Sequence, residues 1–71
     1  MEYLANTISA RRQHLNMTQE ELAQRIGVAR PTIVFYEQGL RRPDIETAMR
    51  LARALECTVD DLYSFQSAVR R

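Results

Sequence analysis

The chain of 71 residues has room for one domain with one modest hydrophobic core. A domain of this size is only marginally stable alone, so association with a second copy would stabilise it. Hydrophobic residues make up 45% and charged residues 27% of the sequence, which is typical of a globular domain and excludes a disordered chain, while the net charge of +1 is too small to indicate nucleic-acid binding by itself. No apolar run approaches the roughly 18–20 residues of a membrane span, and the first residues lack the pattern of a signal peptide, so we expect a cytoplasmic protein with no membrane partner.

The distribution of charge is more informative than its sum. Residues 1–42 carry six arginines against four carboxylates, whereas residues 43–71 carry four arginines against five carboxylates. All ten basic residues are arginine, whose planar guanidinium suits phosphate and guanine. This asymmetry supports DNA binding without establishing it, because genome composition can produce the same bias.

The composition predicts an all-α fold, since the chain has only two glycines and two prolines among many good helix formers. The first helix is predicted from about Glu2 to His14, with Leu4, Ile8 and Leu15 on its inner side. No segment has the pattern of a strand. His14, at the end of this helix, is interpreted as a complement to the helix dipole.

The second helix is predicted from about Gln19 to Ile26. Thr18 and Glu21 form a capping box at its start, and Gly27 lies just past its end. After a short turn the third helix opens near Arg30 and Pro31, where proline is tolerated because its missing N–H would be unpaired. Ile33 and Tyr36 are expected to face inward, and Gly39 to end the helix.

The fourth helix is predicted to begin after Pro43, with Asp44 as its N-cap. Its apolar stripe comprises Ile45, Ala48, Leu51, Ala52 and Leu55. A second capping box, Thr58 with Asp61, is expected to start a short fifth helix through Leu62 and Tyr63. Residues 64–71 receive no assignment.

Chemistry-bearing residues are few. Cys57 is the only cysteine, so it has no disulfide or CxxC partner and is interpreted as a small buried hydrophobe. A single histidine, without a catalytic arrangement or a glycine-rich phosphate loop, gives no support to an enzyme, a metal site, a cofactor or a small-molecule ligand.

Residues 19–38 combine a capped short helix, a turn around a glycine, and a second short helix that begins with basic and polar residues. This is the helix-turn-helix layout, in which the second helix lies in the major groove and presents its first residues to base edges. Ala23 allows the close crossing of the two helices that this layout requires.

The resemblance extends well beyond that motif. The segments that carry it are residues 18–33 (TQEELAQRIGVARPTI), 36–39 (YEQG), 42–47 (RPDIET), 51–55 (LARAL) and 58–62 (TVDDL). They resemble, in order and spacing, helix-turn-helix regulators of the phage-repressor and Cro type, also called the xenobiotic-response-element family. The similarity covers about residues 6–63 and implies a compact five-helix, lambda-repressor-like domain formed by residues 1–71.

The resemblance also implies roles for individual residues. Gln19 would bind a phosphate at a helix N-terminus, Arg30 would read a guanine, and Arg41 and Arg42 would bind the DNA backbone. The full set of expected DNA-contacting residues is Gln19, Ala29, Arg30, Pro31, Thr32, Val34, Phe35, Gln38, Arg41 and Arg42.

Three positions depart from the family's usual polar residues, namely Pro31, Val34 and Phe35. Val34 and Phe35 can contact thymine methyl groups but donate no hydrogen bond from their side chains. Packing against the core or against a protein partner is the alternative, and the sequence leaves it open.

Arg12 and Glu37 match a family pair that joins the first helix to the end of the third by a buried ion pair. Their expected role is structural. Arg11 is either a phosphate contact or a surface residue whose stem packs along apolar neighbours.

The sequence therefore predicts a homodimeric transcriptional repressor that binds double-stranded DNA at a palindromic operator. The candidate dimer surface comprises Leu62, Tyr63 and Phe65 with Tyr3 and Leu4, although the same residues could close the core. The alternative function is a protein-interaction module, such as an antitoxin-like or bridging partner that reuses this fold.

Overall fold

A two-stranded antiparallel sheet brackets five helices in the computed structural model, which describes residues 2–67. The elements in chain order are β1 (Glu2–Asn6), α1 (Ile8–His14), α2 (Gln19–Ile26), α3 (Arg30–Gln38), α4 (Ile45–Ala54), α5 (Val59–Leu62) and β2 (Tyr63–Ser67). The expected all-α fold is thus correct for the five helices and wrong for the two strands.

The two strands replace parts of two predicted helices. Helix α1 begins at Ile8 rather than at Glu2, and α5 ends at Leu62, so that Tyr63 opens a strand. Strand β1 pairs with β2 from Glu2↔Ser67 to Asn6↔Tyr63. The partners lie almost a whole chain apart in the sequence, so no local pattern reveals the pairing. Of residues 64–71, which received no assignment, residues 64–67 lie in β2, and residues 68–71 lie outside the described part.

Asn6 is the last residue of β1 and defines the boundary between this strand and α1. Its Oδ1 accepts a hydrogen bond from the backbone N–H of Ile8 at 3.1 Å, and its Nδ2 donates to the carbonyl of Tyr36 at 3.2 Å. The first contact supplies an acceptor to an N–H at the start of α1, and the second ties the strand to α3. The boundary therefore depends on a tertiary contact.

The predicted caps form. Thr18 and Glu21 make reciprocal hydrogen bonds at the start of α2, Thr58 and Asp61 do the same for α5, and Asp44 Oδ1 accepts from the N–H of Thr47 at 2.8 Å. Gly27 ends α2 with φ of 76°, a left-handed conformation that costs glycine little. These caps fix where the helices begin and end.

One hydrophobic core joins the helices. Its buried residues are Ile8, Met17, Leu22, Ala23, Ile26, Ile33, Tyr36, Leu51, Ala52, Leu55 and Leu62. Ile45 was expected among them but is 80% exposed, because it is the first residue of α4 and precedes the turns that meet the core. Leu62 belongs to this core and is therefore not a free surface. In residues 2–67 no helix has the length and apolar character needed to cross a membrane.

Candidate nucleic-acid interface

The turn between α2 and α3 is short and tightly bonded. The N–H groups of Gly27 and Val28 both donate to the carbonyl of Ala23, at 2.9 and 3.0 Å. Ala23 is itself buried, with 1% of its surface exposed, so the two helices approach closely at this residue. Helix α2 thereby braces α3 against the core.

Helix α3 divides into an inner and an outer side. Ile33 and Tyr36 anchor the inner side in the core. The residues on the other side, which we call the outer strip, recur with the helical period. The strip comprises Arg30, Pro31, Val34, Phe35 and Gln38. All five are exposed or, for Val34, half-buried. The strip is thus an uncovered helix face with a cation at one end and an amide at the other.

Phe35 is 39% exposed and does not belong to the core. Of the alternatives that the sequence leaves open for this side chain, packing in the core is therefore wrong, and contact with DNA or with a protein partner remains. Its carbonyl has a separate use, because it accepts hydrogen bonds from the N–H groups of Leu40 at 2.9 Å and Arg41 at 3.4 Å.

Those bonds shape the loop that follows α3. Gly39 adopts φ of 74°, which turns the chain away from the helix axis. Arg41 and Arg42 come next, and both are exposed. The loop therefore places two cations directly after the outer strip. At the opposite end, Ala29 is the exposed N-cap of α3, and half-buried Thr32 donates its N–H to the Ala29 carbonyl at 3.0 Å.

An ion pair connects α1 to the end of α3. Arg12 Nε donates to Glu37 Oε2 at 2.6 Å, and the two side chains are only 12% and 8% exposed. Arg12 Nη1 also donates to the carbonyl of Met17 at 2.8 Å. Because water is largely excluded, the pair is well placed to hold α3 against α1.

Glu37 has a further partner that sequence reasoning missed. Gln19 Nε2 donates to Glu37 Oε1 at 3.0 Å, and Arg30 Nη2 donates to Gln19 Oε1 at 3.2 Å. A continuous series of hydrogen bonds thus leads from the buried ion pair through Gln19 to the exposed guanidinium of Arg30. We call it the Arg12–Arg30 chain. Only the positions of Gln19 and Arg30 at two adjoining helix starts hinted at it.

This arrangement changes the interpretation of Gln19. Its amide oxygen and one amide hydrogen are already used within the protein. The N–H of Glu21 donates to Thr18 Oγ1, so the backbone N–H groups of Gln19 and Glu20 are the ones left at this end of α2 for an external acceptor such as a phosphate.

Other singled-out residues lie away from this surface. Arg11 Nε donates to Thr7 Oγ1 at 3.0 Å. Cys57 is half-buried against the core, and burial raises the pKa of its thiol, so the thiol stays protonated at neutral pH. Across residues 2–67 no three His, Cys, Asp or Glu side chains come together as metal ligands would.

Comparison with known proteins agrees with this geometry. A helix-turn-helix family model matches residues 8–62. A regulator described as an HTH-type transcriptional regulator from Archaeoglobus fulgidus is 46% identical over 54 residues, which are 76% of each chain. The antitoxin HigA1 of Mycobacterium tuberculosis is 38% identical over 53 residues, or 75% of this chain but only 36% of that protein.

Among solved structures, that of the biofilm master regulator SinR in complex with DNA superimposes with a TM-score of 0.67 at 26% identity. The match covers 73% of this chain and 84% of SinR.

Proposed function

The chain belongs to the Cro/C1-type helix-turn-helix family of DNA-binding transcriptional regulators, and from this premise we propose that it is a repressor that binds a palindromic operator as a homodimer. The observation that carries the proposal is the exposed outer strip of α3. It begins with Arg30, which is hydrogen-bonded to Gln19, and it is followed by a loop that contains Arg41 and Arg42. As a regulator of chromosomal DNA it would act in the cytoplasm.

In this proposal the outer strip enters the major groove and Arg30 is the main base reader. A guanidinium donates two parallel hydrogen bonds to O6 and N7 of guanine, a pattern that no other base offers. Arg30 has a partner in Gln19 before DNA arrives, so part of the entropy cost of ordering a long side chain is already met.

Phe35 and Val34 complete the reading surface through apolar contact. Both lie on the same strip as Arg30, and thymine is the only base with a methyl group in the major groove. We therefore expect the half-site to contain a guanine near one or more thymines. Pro31 and Ala29, at the start of α3, leave space for the DNA backbone or base edges because neither has a long side chain.

Contacts to phosphate would come from the two sides of the strip. Arg41, Arg42 and Gln38 follow it, while the first turn of α2 at Gln19 and the hydroxyl of Thr32 lie at its beginning. Such contacts fix the orientation of the protein on the duplex and supply most of its salt-dependent affinity.

A single short helix reads only a few base pairs, so a second copy is needed for a specific site. In a two-fold dimer of this motif the two recognition helices lie roughly 34–36 Å apart, one turn of DNA, and the operator is palindromic. Such a dimer on a promoter would exclude the polymerase, which is the simplest route to repression for a domain of this size.

The test is selection of bound sites from random duplex DNA with the wild-type chain and with Arg30→Ala. A palindromic consensus that contains guanine, and that becomes degenerate at that guanine in the variant, supports the proposal. An unchanged consensus in the variant removes Arg30 as the base reader. No selected consensus, together with negligible affinity for DNA at low salt, overturns the regulator function.

A protein-interaction module is the second candidate, and the exposure of Phe35 favours it. The antitoxin relative shares the matched domain, which is only 36% of its length, and its likeness to this chain also supports this alternative. Flat, negligible DNA affinity across a salt titration, combined with loss of a captured partner in Phe35→Ala, would decide in its favour.

A further inference from the structure

No residue of the β1–β2 ribbon is buried, and most of β2 is exposed. Residues 2–67 extend over 40 × 23 × 22 Å, so the molecule is markedly longer in one direction. Each strand has only the other as its neighbour, and a two-stranded ribbon is marginally stable unless something packs on it. Both of its outer edges are unpaired within residues 2–67.

One face of the ribbon, which we call the inner face, points toward the helices. Directly opposed residues in an antiparallel pair share a face, so Leu4 and Phe65 lie together, as do Asn6 and Tyr63. The bond from Asn6 to the carbonyl of Tyr36 shows which way this face is turned. Tyr3 and Gln66, also opposed, lie on the outer face, so Tyr3 does not share one surface with Leu4, Tyr63 and Phe65, contrary to the sequence-based prediction.

An open apolar groove lies beneath the inner face. It measures about 230 Å³ and is lined by Leu4, Arg42, Pro43, Ala48, Val59 and Tyr63. The hydroxyl of Tyr63 is buried and has no hydrogen-bond partner in the described chain. Burial raises the pKa of this hydroxyl, as expected for a phenol removed from water.

Phe65 projects beyond the groove on the same face. It is 70% exposed, and it does not line the groove of its own chain.

We propose that a second copy of this chain covers the inner face, with the Phe65 ring of each copy seated in the groove of the other. The arrangement is self-complementary, because the knob and the groove belong to one surface and a two-fold axis satisfies both at once. This inference rests on the homodimer of the proposed function and names the surface that forms it.

The available area is that of a small interface. An aromatic side chain buries on the order of 150–250 Å², and the interface would hold two copies of Phe65 and of the groove walls. Ile45, one turn before Ala48 on α4, is 80% exposed and adds to each side. Two Phe65 side chains and the groove walls that they cover account for roughly 600–1,000 Å², and the two copies of Ile45 add to this area, which is the size of a small protein interface.

The placement of Arg42 connects this interface to DNA. Arg42 lines the groove and belongs to the loop that follows the outer strip. One side chain of the groove wall is thus also one of the two in this loop that the proposed function assigns to phosphate.

Sedimentation equilibrium of the full chain and of Phe65→Ser tests the proposal. Phe65→Ser is expected to raise the dimer dissociation constant by about 100-fold or more, because each dimer loses two central aromatic anchors. The matched control is Tyr3→Ser, an aromatic of similar exposure on the outer face of the same ribbon, and we expect it to change the constant less than about 3-fold.

Three outcomes overturn this interface: a wild-type chain that is monomeric up to about 1 mM, a Phe65→Ser chain that dimerises as the wild type does, or a Tyr3→Ser chain that dissociates equally. Far-ultraviolet circular dichroism of each variant checks that the helices remain folded. Operator binding is measured separately, so that the two proposals can fail independently. A chain that dimerises through Phe65 but binds no DNA keeps the interface and removes the regulator function.

Discussion

Arg30, at the exposed start of α3, donates a hydrogen bond of 3.2 Å to Gln19 at the start of α2. Gln19 is in turn bonded to Glu37, whose side chain is 8% exposed and paired with Arg12. An exposed side chain proposed to read DNA is therefore connected to a buried ion pair by one amide. This connection makes the contribution of Gln19 measurable apart from any phosphate contact.

A double-mutant cycle over Gln19 and Arg30 tests that connection. Gln19→Ala keeps the backbone N–H and removes only the amide, so we expect a loss of about 1 kcal/mol in operator binding, because Arg30 must then be ordered on binding. In the Arg30→Ala background the same change is expected to cost almost nothing. Fluorescence anisotropy with a labelled operator gives the four affinities.

The control for this cycle is Gln24→Ala, a glutamine on the same helix that is exposed and has no bond to α3. It should leave affinity unchanged. Strictly additive losses for Gln19→Ala and Arg30→Ala, without a coupling of at least about 0.5 kcal/mol, would show that the amide does not position the arginine.

Removal of Arg12 tests the buried pair itself. Arg12→Ala leaves the Glu37 carboxylate in a site that excludes most water, and we expect the free energy of unfolding to fall by about 3 kcal/mol. Urea denaturation monitored by circular dichroism measures it. Replacing both partners, as in Arg12→Met with Glu37→Leu, should recover a large part of the loss.

The neighbouring Arg11→Ala is the matched control. Its bond to Thr7 is exposed, so a change within about 0.5 kcal/mol is expected. Equal losses for the two arginines would mean that the Arg12–Glu37 pair contributes no more than a surface contact.

The local parts of this structure could be predicted from the sequence, because caps and helix stops are decided by residues close in the chain. Thr18 with Glu21, Asp44 and Gly27 each lie where the sequence places them. Strand β1 could not be found in this way. Residues 2–6 are helical in periodicity, and only pairing with Tyr63–Ser67 makes them a strand.

In the candidate site, too, the features set by local sequence could be predicted and those set by tertiary contacts could not. The outer strip of α3 follows from helical spacing, so Arg30 and Gln38 could be placed on it from the sequence. The hydrogen bond between Gln19 and Arg30 could not be foreseen, since it depends on how closely α2 and α3 cross. Ile45 marks the opposite error, because an apolar pattern does not reveal where a helix extends past its core.

The salt dependence of operator binding tests the loop after α3. Each arginine that neutralises a phosphate contributes about one unit to the slope of log K against log salt concentration. Arg41→Gln and Arg42→Gln are each expected to lower that slope by about one. Arg53→Gln, at an exposed position in the last turn of α4, is the control and should leave it unchanged. Equal effects of all three would indicate a general charge effect instead.

Acid should destabilise the fold through its capping carboxylates. A hydrogen bond from the N–H of Thr47 lowers the pKa of Asp44 below 3.8, and bonds at Thr18 and Thr58 likewise lower the pKa of Glu21 and Asp61. Since these pKa values are lower in the folded chain, their stabilisation is complete above the unfolded values near 4 and is lost as the pH falls through the folded values.

Asp44→Asn isolates one of these groups, because asparagine caps a helix about as well as aspartate but does not titrate. We expect little change in stability at pH 7 and a shallower loss between about pH 5 and pH 2. Thermal unfolding across that range measures it. Parallel curves for the variant and the wild type would show that Asp44 contributes nothing to the acid sensitivity.

The pairing of β1 with β2 also has a consequence for how the chain folds. All five helices lie between the two strands in the sequence, so pairing the strands closes a loop of almost the whole described chain. The entropy cost of closing that loop is much smaller if the helices between the strands are already packed. The capped helices have local contacts and should assemble first, with the ribbon closing after the main transition state. Substitutions in the ribbon would then speed unfolding and leave the rate of folding nearly unchanged.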